Sequence, residues 1–191
     1  YPFFVAVLSM IFLREVITRV KVIALVLALF GAALTVGPVS GQLIGALMAI
    51  TAALIYSIYI IVGTGVMKHV TAVQSSTVIF ASAGAVYGLL AFANGTHLPA
   101  SNSGWLAMLG IIVVSTIIPV VTFLAGLERV GPTNAAMLST IEPVVTVLLA
   151  AWLFGDKLLP IVMVGGGLIL VAVILLTRAE LGNVSESQPG V

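Results

Sequence analysis

Apolar residues run through this chain in long, nearly unbroken stretches separated by short polar joints, without the strict alternation of a half-buried strand. The stretches cover residues 1–13, 19–36, 41–67, 72–93, 105–127, 133–154 and 158–177. An α-helix needs about 20 apolar residues to cross a hydrocarbon core of about 30 Å, and every stretch but the first is close to that length or longer. The first reaches only about 20 Å as a helix. Gly37-Pro38 with Ser40-Gly41, and Gly131-Pro132 ahead of a Thr133/Asn134 cap, predict tight turns. Residues 94–104, rich in Asn, Gly, Pro and Ser, predict a longer loop. The pattern therefore predicts an all-α integral membrane protein with six complete spans plus one partial span.

Composition removes the soluble alternatives. The chain is 61% hydrophobic and 7% charged, where a soluble domain carries about 25% charged residues. Residues 69–127 contain no Lys, Arg, Asp or Glu. A net charge of +1 points to no nucleic-acid partner, and the absence of cysteine excludes disulfides, thiolate metal sites and thiol catalysis. His69 and His97 fall in joints expected on opposite sides, so neither a metal site nor a cofactor is expected. No Met or basic segment precedes the first run, which therefore does not read as a signal peptide. The chain is expected to begin inside a transmembrane helix, as a piece of a longer protein.

Charge in the joints sets the orientation. If the spans alternate, Arg14, Arg19, Lys21, Lys68, Arg129 and Arg178 fall on one side, and Lys157 alone, beside Asp156, on the other. The positive-inside rule then places the C-terminus and the 14–21 joint in the cytoplasm. The 37–42, 94–104 and 155–157 turns face outward. Residues 179–191, polar and short, read as a disordered tail.

The two ends of the chain match each other at an offset of 141 residues. Pro2 falls on Pro143, Glu15 on Asp156, and Leu8, Leu27 and Leu29 on Leu149, Leu168 and Leu170. The offset spans five membrane crossings, an odd number, so the two copies point in opposite directions. An inverted repeat of this kind places a substrate site near the midplane, between halves that open it to each side in turn.

Gly131-Pro132-Thr133-Asn134-Ala135-Ala136, Glu142-Pro143, Phe154-Gly155-Asp156 and Gly165-Gly166 occur in the order and spacing of a known pattern. The chain resembles the EamA family of the drug/metabolite transporter superfamily, and Pro2, Leu13-Arg14-Glu15 and Gly31 agree with the end of that family's first repeat. Two positions depart from the pattern: Asp156 stands where the family usually has Glu, and Ala24 where the second repeat has Gly165. The resemblance implies ten helices in two inverted five-helix repeats. Residues 1–38 would close the first repeat, 39–178 would form the second, and 179–191 the cytoplasmic tail. It also implies export or exchange of small metabolites such as amino acids.

Glu142 is the conspicuous side chain. It sits in the middle of a span, where an ionised carboxylate costs roughly 2.5–3.5 kcal/mol or more. Ser139 and Thr146 share its helix face. The functional reading is a substrate contact or a proton-coupling carboxylate; the plainer one is a carboxyl group that serves packing. Pro143 removes the amide that would bond the Ser139 carbonyl, and Pro119 does the same to Ser115. Freed carbonyls can line a cavity, or the prolines can simply kink their helices. Ser115 and Thr116 offer polar surface near Pro119, unless their hydroxyls bond back to the preceding turn. Tyr56 and Tyr59 lie mid-span, one turn apart, as a cavity wall or as ordinary core. Gly41-xxx-Gly45 and Gly84-xxx-Gly88 permit close helix approach.

The expected function is secondary transport of a small, amino-acid-like metabolite by alternating access, in a multi-pass protein of the plasma (inner) membrane. Its partners would be the small-molecule substrate and the lipid bilayer, with proton or counter-substrate coupling. One intramembrane acid argues against an enzyme. A non-transporting structural or interaction subunit and, behind it, a membrane-embedded enzyme are the alternatives.

Overall fold

The computed structural model describes residues 1–36, 43–95 and 98–187, with side chains described as far as Glu180. The 37–42 turn, with Gly41, and His97 lie outside the described residues, as does the end of the tail. Every described element is helical. We number them α1 (Pro2–Leu13), α2 (Arg19–Val36), α3 (Leu43–Val66), α4 (Ala72–Asn94), α5 (Asn102–Val130), α6 (Pro132–Phe154) and α7 (Pro160–Ser187). Helices α3 to α6, and α7 over Pro160–Glu180, are long and apolar enough to cross a membrane. The remaining expected span, α2, forms over its predicted 18 residues, with Arg19 and Lys21 in its first turn. The chain divides into two compact units, Tyr1–Ile61 with Pro132–Val191, and Val62–Gly131.

The first unit is built on α2 and α7, which pack along each other. Lys21, near the start of α2, holds Glu180, late in α7, at 2.9 Å. At the opposite end Gly31 and Thr35 meet Gly165, near the start of α7. The two helices are therefore antiparallel. Their approach is close: a methyl group on Gly165 would sit 2.6 Å from the Gly31 carbonyl oxygen and 2.7 Å from Thr35 Oγ1. Small residues at this crossing let two backbones touch, which is how helices associate where apolar burial gives no advantage over lipid.

The buried stripes of the pair carry the repeat. On α2, Ala24, Leu25, Ala28, Gly31 and Thr35 are buried; on α7, Gly165, Gly166, Ile169, Ala172 and Leu176. Each of the second five lies 141 residues beyond its counterpart, from Ala24 and Gly165 through to Thr35 and Leu176. The helix ends agree as well. Arg14 closes α1 at φ 54° and ψ 32°, and Gly155, at the same offset, closes α6 at φ 72° and ψ 23°. Two segments of weak sequence identity thus share stripe, joint and turn, in opposite directions.

Helix α1 packs on the start of α6, and Ala6 and Met137 join Ala24, Ala28, Ala172 and Leu176 in one core. At the Lys21 end a polar network ties four segments. Lys21 Nζ pairs with Glu15 at 3.3 Å as well as with Glu180, and Thr133 Oγ1 donates to Glu15 Oε2 at 2.6 Å. Thr133 therefore does not cap its helix as the sequence predicts, because the first turn of α6 is buried against the α1–α2 joint. The backbone of α7 also stays helical to Ser187, past Arg178, where disorder is expected. Glu180, the partner of Lys21, lies two residues past Arg178 in this continuation.

The second unit holds the end of α3 with α4 and α5. A capping box starts α4, with Thr71 and Gln74 exchanging side-chain bonds to each other's backbone. The second half of α5 packs on α4. Leu124 and Leu127 are buried, the latter 3.5 Å from where a Gly63 Cβ would lie. Gly84 and Gly88 have no such neighbour within 4 Å, so that pair brings no helices together among the described residues.

A candidate substrate cleft at Glu142

Helix α6 changes its hydrogen bonding at Ser139–Ile141, a 3-10 turn directly ahead of Glu142 and Pro143. Proline cannot offer an amide to the Ser139 carbonyl. The Glu142 amide takes that carbonyl instead, one residue early. The Ser139 carbonyl is therefore not freed, contrary to the sequence expectation, because tightening the turn supplies a nearer donor. The Ser139 hydroxyl donates to Ala135 O at 2.9 Å.

Glu142 is exposed, into an open cleft of ≈ 340 Å³ that it lines with Thr35, Pro143, Thr146 and Val147. The two hydroxyls at the cleft are already committed as donors. Thr35 Oγ1 donates to Gly31 O at 2.8 Å, and Thr146 Oγ1 to Glu142 O at 2.9 Å. Among the described residues both ion pairs belong to Lys21, and none reaches Glu142. A second cleft of ≈ 240 Å³ adjoins the first, sharing Thr35 and Val147, and is otherwise apolar.

An aromatic cluster stands beside Glu142. Tyr1 meets Tyr56 edge to face with ring centroids 5.0 Å apart, and Tyr56 stacks on Tyr59 at 5.7 Å. Ser57, fully buried, fastens α3 to the start of α1 through Tyr1 O at 3.2 Å.

Of the residues singled out from the sequence, Ser139, Glu142, Pro143, Thr146, Tyr56 and Tyr59 all belong to this first unit. Glu142, Pro143 and Thr146 share the cleft, while Ser139 precedes them on α6 and Tyr56 packs against Tyr1 and Tyr59. Ser115, Thr116 and Pro119 belong to the second unit, where all three are exposed. There α5 makes a π turn at Val113–Ile117, two residues ahead of Pro119, and Thr116 Oγ1 donates back to Ile111 O at 3.1 Å. That is the plainer of the two expected readings for Thr116.

Sequence reasoning passes over Tyr1 and Thr35. The signal for Tyr1 was present: the offset that sets Pro2 on Pro143 also sets Tyr1 on Glu142. Thr35 has no such mark, since a lone threonine near a helix end is common.

These features define a multi-pass, all-helical membrane protein built on an inverted repeat. The sequence profile of the EamA-like transporter family matches residues 43–178, and the chain belongs to that family. It is 27% identical over 179 residues to the uncharacterized transporter YcbK of Bacillus subtilis, covering 87% of this chain and 57% of that protein. An uncharacterized transporter of Archaeoglobus fulgidus is 35% identical over 74 residues, which is 39% of this chain and 27% of that protein. The chain thus spans little more than half the length of the longer-matched relative. No solved structure matches it.

Proposed function

We propose that the protein moves a small organic solute across the plasma membrane by alternating access, with Glu142 as the binding or proton-carrying group. The observation that carries this reading is a carboxyl group with no cationic partner among the described residues, exposed in a cleft beside the antiparallel α2–α7 pair. An intramembrane acid so placed marks a substrate or proton path by default. Tyr56, Tyr59, Ser139 and Pro143 shape its surroundings, and Thr35 joins them. Ser115, Thr116 and Pro119 give α5 polar surface of its own in the second unit. Residues 1–38 close one repeat and 39–178 form the other, with the C-terminus cytoplasmic. Proton or counter-substrate coupling would supply the driving force. The reading assigns the cleft to transport, as membership of a transporter family supports.

Glu142→Gln keeps size and hydrogen bonding while removing the ionisable proton. The variant should insert normally yet lose most of its flux per inserted molecule, or lose the pH dependence of that flux. Unchanged flux at every pH would take Glu142 out of the site.

A further inference from the structure

We infer that the substrate is a small amphipathic amine, its ammonium group held at Glu142 and its apolar side chain lying in the adjoining cleft, with Gly167 setting the length of side chain admitted. The inference rests on the reading of Glu142 as a substrate contact and adds the chemistry of what it contacts.

The polar cleft presents acceptors. The Glu142 carboxylate, when ionised, has only lone pairs to offer. The hydroxyl hydrogens of Thr35 and Thr146 are spent on Gly31 O and Glu142 O, which leaves neither free to donate to an anion. Among the described lining residues there is no Lys, Arg, His, Asn or Gln to receive an anion. An ammonium group, with three donors, a positive charge and no acceptor, fits such a wall. A carboxylate or a neutral amide oxygen would meet it lone pair to lone pair.

The second cleft continues from the first through Thr35 and Val147 and is walled by Leu148, Val162, Met163 and Leu170. Its glycines differ in role. Gly165 is filled by the α2 crossing and Gly166 by Val144 at 3.8 Å, whereas nothing lies within 4 Å of where a Gly167 Cβ would stand. Gly167 therefore leaves space that no packing contact needs, at a wall of the apolar cleft. At ≈ 240 Å³ the cleft admits a branched aliphatic chain. An occupant that joins a cationic head to an apolar chain fills both clefts; a lipid acyl chain would fill only the second.

The test is binding to the purified protein in nanodiscs of fixed lipid composition, using glycinamide, valinamide and leucinamide as primary amines of growing side chain. N-acetyl-leucinamide serves as the uncharged control. Affinity should rise about fourfold per buried methylene, and the acetylated compound should bind at least tenfold more weakly than leucinamide. Glu142→Gln should weaken all three amines. Gly167→Leu should compress the spread between leucinamide and glycinamide to within about threefold, with Gly167→Ala intermediate and available if the larger side chain impairs folding. Equal affinity for all three amines, with Glu142→Gln still weakening them, would overturn the side-chain assignment and leave Glu142 in place. Equal binding of the acetylated compound would overturn the ammonium assignment, as would failure of leucinamide to bind. If Glu142→Gln leaves both binding and flux untouched, the underlying reading of Glu142 falls with the inference.

Discussion

Arg14 and Gly155 occupy the same left-handed turn at the ends of α1 and α6. Glycine enters that region freely, while an L side chain costs about 1–2 kcal/mol there. At Gly155 no neighbour restricts the space, so substitution is governed by backbone strain alone. Gly155→Ala should destabilise the protein by about 1 kcal/mol, the strain being offset in part by about 0.4–1 kcal/mol of reduced freedom in the unfolded chain. Gly155→Asn should recover part of the loss. Unfolding of the purified protein in mixed micelles would measure it, and an unaffected Gly155→Ala protein would show that the turn relaxes. Arg14 bears the same strain without glycine's relief. Its charge, in the joint ahead of α2, is one of the six that orient the chain in our reading, and glycine would remove it.

At the scale of elements, helix identity was legible because a membrane span writes itself as a long apolar run. Helix α2 formed over its predicted bounds, and α3 to α6 within a few residues of theirs. What was not legible was how a helix adapts to a local defect. Proline signalled trouble at residues 119 and 143, yet α5 answered with a π turn and α6 with a 3-10 turn that satisfies the Ser139 carbonyl. Composition cannot separate those answers, because both keep the chain helical. The Lys21–Glu180 pair and the Thr133–Glu15 bond join residues far apart in sequence, which no local pattern could mark. Gly31 and Gly165 were marked in the sequence by family pattern, but only the antiparallel packing explains them. Gly165→Ala would drive a methyl group to 2.6 Å from the Gly31 carbonyl, and overpacking of this kind costs about 1–3 kcal/mol. Gly84→Ala, facing open space, should cost nothing measurable in the same assay. Equal stability of the two variants would contradict the α2–α7 crossing.

For the whole molecule, the candidate site was half legible. Glu142, Pro143 and Thr146 stood out as a mid-span acid with polar and helix-bending neighbours, and they do share a cleft. Tyr1 and Thr35 reach that neighbourhood from helices distant in sequence, a fact carried by packing and not by local pattern. The orientation of the molecule rests on the asymmetry of its positive charges. Reporter fusions at Lys68 and Asn102 should lie on opposite sides of the membrane, with Lys68 cytoplasmic. Reporters on the same side would remove the span count, and with it the membrane orientation assigned to the two copies.

The central claim is that one cleft, at Glu142, faces each side of the membrane in turn. These 191 residues contain no cysteine, so a single thiol can report on that cleft without background from this sequence. Thr146→Cys, placed on a lining position whose hydroxyl bonds only its own helix, would be labelled with a membrane-impermeant thiol reagent added to one side and then, separately, to the other. Labelling from both sides, slowed from both by a bound amine, is the result this account predicts. Labelling from one side only, under every condition that supports flux, would contradict it.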